Sequence, residues 1–130
     1  MTEFLAALGL REPKSRTSDA VTYQDPCHLA HAQKIRSAPR QLLAHVGARI
    51  VEMAHSDQCC GSAGSYNVTQ NKLSMQILDA KMQDVVEVAP AISAIITANT
   101  GCMLQMRAGV EREGLKMPVK HVIELLDECY

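Results

Sequence analysis

Apolar residues along this chain fall into short β-favouring runs alternating with longer stretches of helical period, a pattern that predicts an α/β domain. The first segment, 2–8, reads as a short helix with Phe4, Leu5 and Leu8 on one face and Gly9 as its stop. Residues 11–19 are polar and offer little to bury, so residues 1–19 are expected to form an N-terminal helix and linker, and residues 20–130 the domain proper. Within it the predicted strands are 20–23, 50–53, the nearly all-apolar 92–98, and 119–121. The predicted helices are 37–46, 71–90, 102–112 and 123–128. In the longest of these, Leu73, Ile77, Leu78, Met82, Val85 and Val86 are assigned to the buried face. Strand and helix alternate throughout, so the expected architecture is a small parallel sheet of about four strands flanked by helices.

Composition narrows the possibilities. With one Phe, three Tyr and no Trp among 130 residues, the core must be aliphatic, with Ala and Met as fillers; Met75, Met82, Met103 and Met106 are read that way. A formal net charge of −1 with scattered basic residues provides neither a stripe for a phosphate backbone nor a polybasic membrane patch, so nucleic acid is not an expected partner. No run reaches the roughly 20 apolar residues of a transmembrane helix, and the N-terminus lacks a secretory pattern. The expected location is cytoplasmic. There, five cysteines are more readily thiols, metal ligands or redox groups than structural disulfides.

The cysteines are not scattered. Cys27 follows the first predicted strand by four residues, Cys59 and Cys60 follow the second by six and seven, and Cys102 follows the third by four. The C-terminal ends of parallel strands share one edge, where α/β proteins place their ligands, so cysteines distant in sequence can converge there. Each of these loops leads into a helix whose N-terminal N–H groups favour thiolates and anionic clusters. Gly61 and Gly64 would let the backbone wrap closely and aim N–H groups at sulfur. A single cysteine would be read as a small buried hydrophobe. Four at one edge, two of them adjacent, favour ligation, while Cys129 at the end of the last helix is left out of the site.

His28 beside Cys27 is a candidate donor to the site's sulfurs or an occasional ligand, against a plain loop role. His31, His45 and His55 are read as solvated, His121 as a capping or packing residue, and Asn99 and Thr100 as helix caps. A dinucleotide fingerprint and a phosphate-loop Lys-Ser/Thr are both missing, so substrate chemistry is not assigned to this chain and no catalytic residue is named.

Asp25-Pro26-Cys27-His28-Leu29, Cys59-Cys60-Gly61-Ser62-Ala63-Gly64 and Asn99-Thr100-Gly101-Cys102 together resemble the cysteine-rich CCG domain. That family occurs in heterodisulfide reductase, in lactate-utilisation iron-sulfur proteins and in glycolate oxidase iron-sulfur subunits. The segments 101–109 and 119–126 look most like the glycolate oxidase branch.

The resemblance implies a 4Fe-4S cluster held by Cys27, Cys59, Cys60 and Cys102, relaying electrons from FAD on a separate flavin-containing oxidase subunit toward a quinone-linked acceptor. The substrate of that flavin subunit would be glycolate or a related 2-hydroxy acid. Two departures qualify it. Where the wider family has a second cysteine after Cys-x-x, this chain has Gln105, which argues for four-thiolate ligation and electron relay over disulfide chemistry. The chain also carries one such domain, whereas the complete subunits resemble two, preceded by a ferredoxin-like part that is an expected partner here. Attachment at the inner membrane would come through that complex. A structural zinc site and a metal-free thiol sensor or interaction module are the alternatives.

Overall fold

In the computed structural model the described residues are 2–17, 20–26, 37–58, 60–61 and 71–130. Four parallel strands form one sheet in the order β2-β1-β3-β4: β1 (Ala20–Gln24), β2 (Arg49–Ile50), β3 (Ala94–Thr97) and β4 (Val119–His121). The helices are α1 (Thr2–Leu8), α2 (Ser37–His45), α3 (Asn71–Val88), α4 (Thr100–Arg112) and α5 (Val122–Cys129). The predicted α/β class and all-parallel sheet are therefore present. β1 and β3 are the central pair, in register from Val21↔Ala94 to Gln24↔Thr97, and the strand order turns back at their C-terminal ends. That edge is the switch point at which open α/β sheets bind ligands.

Strand alternation divides the core in two. Val21, Tyr23, Ala94 and Ile96 face one way, packing with Leu42, Leu43 and Val46 around α2 and with Val122, Leu125, Leu126 and Cys129 of α5. Leu5 and Ala6 of α1 rest against this cluster. The polar stretch after α1 is tied down: Ser15 N–H donates to Cys129 O and Thr17 N–H to Val46 O. Ile95 faces the other way with Met53, Leu78, Met82, Val85, Met103, Met106, Val110 and Val119, between the sheet and α3 and α4. Those two helices touch closely, since a Cβ on Gly109 would stand 2.5 Å from Met82 Sδ.

Several boundaries and faces differ from expectation. The second strand, predicted at 50–53, is Arg49–Ile50. Val51 N–H still bonds to Val21 O, but Glu52 is then drawn to Arg40 and Met53 turns into the α3/α4 core, so the chain leaves the sheet early. The long helix ends at Val88 and tightens into a 3-10 turn at Ala89–Ala91, because Pro90 has no N–H to continue the helical ladder. Leu73 and Val86, assigned to its buried face, are 43% and 41% exposed. The face actually buried runs through Ser74, Leu78, Lys81, Met82, Asp84 and Val85, rotated because it includes three polar residues that an apolar count passes over. The third strand is trimmed from 92–98 to Ala94–Thr97: Ile92 N–H closes the preceding turn on Ala89 O, and Asn99 is already a helix cap.

Candidate functional site

At the sheet's C-terminal edge, hydrogen bonds tie the ends of β1 and β3 and helix α2 to one another and to the loop after β2. Asp25, 2% exposed, accepts a two-pronged bond from Arg40 of α2, with Nη1 to Oδ1 and Nη2 to Oδ2 at 2.8 Å each. Arg40 Nε also donates to Glu52 at 2.7 Å, and its guanidinium lies 5.0 Å from the centre of the Tyr23 ring. The bond to Asp25 is the main reason the Arg40 cation is held still more firmly protonated than usual. Asp25 N–H donates to Ser56 O at 2.9 Å while Ser56 Oγ donates to Asp25 Oδ2 at 3.0 Å, so the turn carrying Asp25 is clasped to the loop after β2. Gln24 Nε2 adds a bond to Gln58 O at 2.9 Å, and Thr97 Oγ1 of β3 donates to Gln24 O at 3.0 Å.

Two of the predicted ligands fall within the described residues, and both are buried cysteines. Cys60 closes the loop after β2, and Cys102 sits in the first turn of α4. Both belong to the α3/α4 cluster, not the α2/α5 one that holds Cys129. Asn99 caps α4 as expected, its Oδ1 accepting from Cys102 N–H at 3.0 Å, while Thr100 is the first helical residue instead of a cap. Gly61 meets the requirement for close wrapping. Its φ is +93°, and a Cβ there would stand 2.5 Å from Ser74 O and 3.1 Å from Gln105 Nε2. Gln105 lies one turn beyond Cys102, so the glycine draws the Cys60 loop against the start of α4. Cys27, His28, Cys59, Gly64 and His31 lie outside the described residues.

Residues that periodicity passes over complete the arrangement. Ser74 Oγ donates to Gly61 O at 2.7 Å and accepts from Gln105 Nε2 at 3.2 Å, a fully buried relay from α4 through α3 to the residue after Cys60. Gln105, conspicuous in the sequence only as the place where a cysteine is missing, thus holds the loop. Lys81 Nζ donates to His55 O and approaches Met53 Sδ at 3.8 Å, although only 2% of the residue is exposed. Burial pushes its pKa below the ordinary lysine value. Among the described residues, the buried oxygens Thr22 Oγ1, Tyr23 Oη and Gln24 Oε1 have no hydrogen-bond partner. Burial, followed by the charge of Asp25, pushes the Tyr23 phenol above its usual range, so it remains a donor. The available signal for Lys81 and Ser74 is a polar residue at helical spacing on an otherwise buried stripe.

The histidines fall partly as expected. His121 caps α5, its Nδ1 accepting from Ile123 N–H while Glu124 accepts from His121 N–H. His55 is largely exposed, with Nδ1 3.2 Å from Asp84. His45 departs from the solvated reading: its Nε2 lies 2.8 Å from Tyr130 Oη and 3.1 Å from Arg11 O, joining α2 to the C-terminal residue and to the segment after α1.

A family model for the CCG cysteine-rich domain matches residues 21–107, a span that contains all four loop cysteines and Gln105. The chain belongs to the CCG cysteine-rich domain family. It is 50% identical over 116 residues to the probable glycolate oxidase iron-sulfur subunit of Bacillus subtilis, covering 87% of this chain and 26% of that protein. It is 30% identical over 129 residues to lactate utilization protein A of Anoxybacillus flavithermus, covering 98% of this chain and 53% of that one. Against one subunit of the fumarate reductase (CoM/CoB) of Methanothermobacter marburgensis it is 34% identical over 112 residues, covering 85% and 22%. The chain therefore spans between about a fifth and about a half of these relatives' lengths. The CCG match takes in the edge built from β1, β2 and β3. Among the described residues, no helix is long and apolar enough to cross a membrane.

Proposed function

We propose that this chain is an iron-sulfur electron-relay domain of a flavin-linked 2-hydroxy-acid-oxidising complex, in which Cys27, Cys59, Cys60 and Cys102 hold a 4Fe-4S cluster. The observation that supports this reading is that Cys60, after β2, and Cys102, in the first turn of α4, are both buried and belong to the same core cluster. The donor set fits the group. Thiolates are the ligands iron-sulfur clusters take, and adjacent cysteines suit a body several ångströms across better than a single small ion. Gly61 keeps the loop tight against α3, leaving backbone in place of a side chain beside Cys60. When bound, the cluster would accept and pass on single electrons.

The chain's own residues serve that task by holding geometry. Arg40, Asp25 and Ser56 fix the turn that leads to Cys27, Ser74 and Gln105 fix the loop that carries Cys60, and Asn99 fixes the first turn bearing Cys102. His28 and Gly64 are further candidates for contacts with the cluster sulfurs. In this reading residues 1–19 are an N-terminal extension of the CCG domain at 20–130. FAD and the oxidation of glycolate belong to a partner subunit, and a ferredoxin-like region supplies the onward path. The names of the glycolate oxidase and lactate utilization relatives support the hydroxy-acid assignment.

Purification without oxygen, followed by iron, acid-labile sulfide and zinc analysis, tests the reading. About four irons and four sulfides per chain are expected, with broad visible absorption that bleaches on dithionite. Cys60→Ser and Cys102→Ser should lose them and Cys129→Ser should keep them. Stoichiometric zinc, or no metal after reconstitution, would overturn it in favour of a structural or thiol-based role.

A further inference from the structure

Lys81 is a buried cation with no anion of its own among the described residues. Among the described residues no carboxylate lies within ion-pair distance of its Nζ, which donates to the His55 carbonyl and approaches the Met53 sulfur at 3.8 Å. The carboxylates that act on it from farther away are Asp84, Asp57 and Asp25. Asp84 is engaged by His55, and Asp25 by Arg40 and Ser56. Taking an ammonium out of water with no counter-charge costs several kcal/mol, so a protein keeps one in a core where an anion offsets it.

The surroundings identify that anion. Lys81 lies on the buried stripe of α3 between Leu78 and Val85, and its hydrogen bond falls on the loop that leads to Cys59 and Cys60. Met53, which it touches, shares a buried cluster with Cys60 and Cys102, and Cys60 is among the groups acting on it electrostatically.

We propose that Lys81 is the counter-cation of the thiolate-ligated cluster and raises its reduction potential. This rests on the iron-sulfur reading above. A cluster with four thiolates is an anion that becomes more negative on reduction, so a fixed positive charge beside it stabilises the reduced form more than the oxidised one. The low dielectric of the core and the exclusion of water keep that charge from being screened. Lys81 acts through this field and through the His55 carbonyl, as a positioning and tuning residue rather than a ligand.

The test is a redox titration of the anaerobically purified chain, followed by visible bleaching and electron paramagnetic resonance, alongside iron and sulfide analysis of each variant. Lys81→Met removes the charge at similar volume, Lys81→Gln removes it while keeping a hydrogen-bond donor, and Lys81→Arg keeps the charge. Both neutral variants should shift the reduction equilibrium at least tenfold toward the oxidised form, a fall of about 59 mV for one electron. Arg should restore wild-type behaviour. If the neutral variants fail to take up iron while Arg succeeds, the counter-cation role stands at the level of assembly. An unchanged potential in a fully loaded neutral variant would overturn the proposal, as would loss of iron from the Arg variant as well. A wild-type chain that takes up no cluster would instead overturn the electron-relay reading on which it rests.

Discussion

The two faces of the sheet are built from different materials. Around α2 and α5 the buried side chains are mostly branched aliphatics, Leu42, Leu43, Val46, Ile96, Val122, Leu125 and Leu126, without a methionine, and with Tyr23 and Cys129 among them. Around α3 and α4 branched residues such as Leu78, Val85 and Ile95 share the space with Met53, Met82, Met103 and Met106, the thiols of Cys60 and Cys102, and buried Ser74, Lys81 and Gln105. Branched side chains have few rotamers and define one packing, whereas methionine adapts its shape around neighbours that are fixed by other means. Here those means are hydrogen bonds, and each of these three buried polar groups ends on the loop carrying Cys60 or on a side chain that does. The α3/α4 face thus carries the buried polar contacts to the Cys60 loop, while the α2/α5 face meets the candidate site through Arg40 and Tyr23.

A division of that kind can be broken by mutation. The largest effect is expected from Leu43→Ala, which empties a fully buried position on the aliphatic face at a cost of about 3 kcal/mol. Chemical denaturation should show the whole loss, while iron content per folded molecule stays at the wild-type level. If iron were lost in proportion to stability, the two faces would be a single unit and the distinction would fail.

Gln105→Leu is the complementary change, since it preserves size while removing the donor to Ser74. Its effect on global stability should be about 1 kcal/mol, because one neutral hydrogen bond is exchanged for apolar contact. Its effect on the site should be disproportionate. With Ser74 no longer steadied from α4, the Gly61 carbonyl has one support fewer, and visible absorption should decay several times faster in air than in Leu43→Ala. Equal decay rates would mean that the relay merely fills space.

The same contrast explains what can be read from the sequence. The aliphatic face, the all-parallel sheet and the short strands at 20–24 and 119–121 follow from periodicity, because burying apolar side chains is a local, additive requirement. The cysteines stand out as candidate ligands for an equally local reason: they follow strand ends. The polar face is where periodicity misleads. It turns Leu73 and Val86 inward and passes over Lys81, since hydropathy ranks a lysine as surface whatever it meets in space. Arg40 likewise reads as scattered charge, because partners such as Asp25, Glu52, Ser56 and the Tyr23 ring lie 12 to 17 positions away and come together only through the sheet. Partnership across loops has no periodic signature.

The smallest effect expected is also specific to the polar face. In metal-free protein, burial holds Lys81 below its unfolded value of 10.5, so between the two values the unfolded chain binds more protons than the folded one. Stability must then rise with pH as the folded pKa is passed, and level off once 10.5 is reached. Denaturation midpoints of the metal-free chain, taken at intervals from neutral pH to about pH 10, should show this rise on top of the other ionisations, which Lys81→Met shares. Subtracting the variant's curve from that of the wild type isolates it. A flat difference would mean that the amine reaches water in the metal-free fold, and that the face around α3 and α4 opens where the aliphatic face does not.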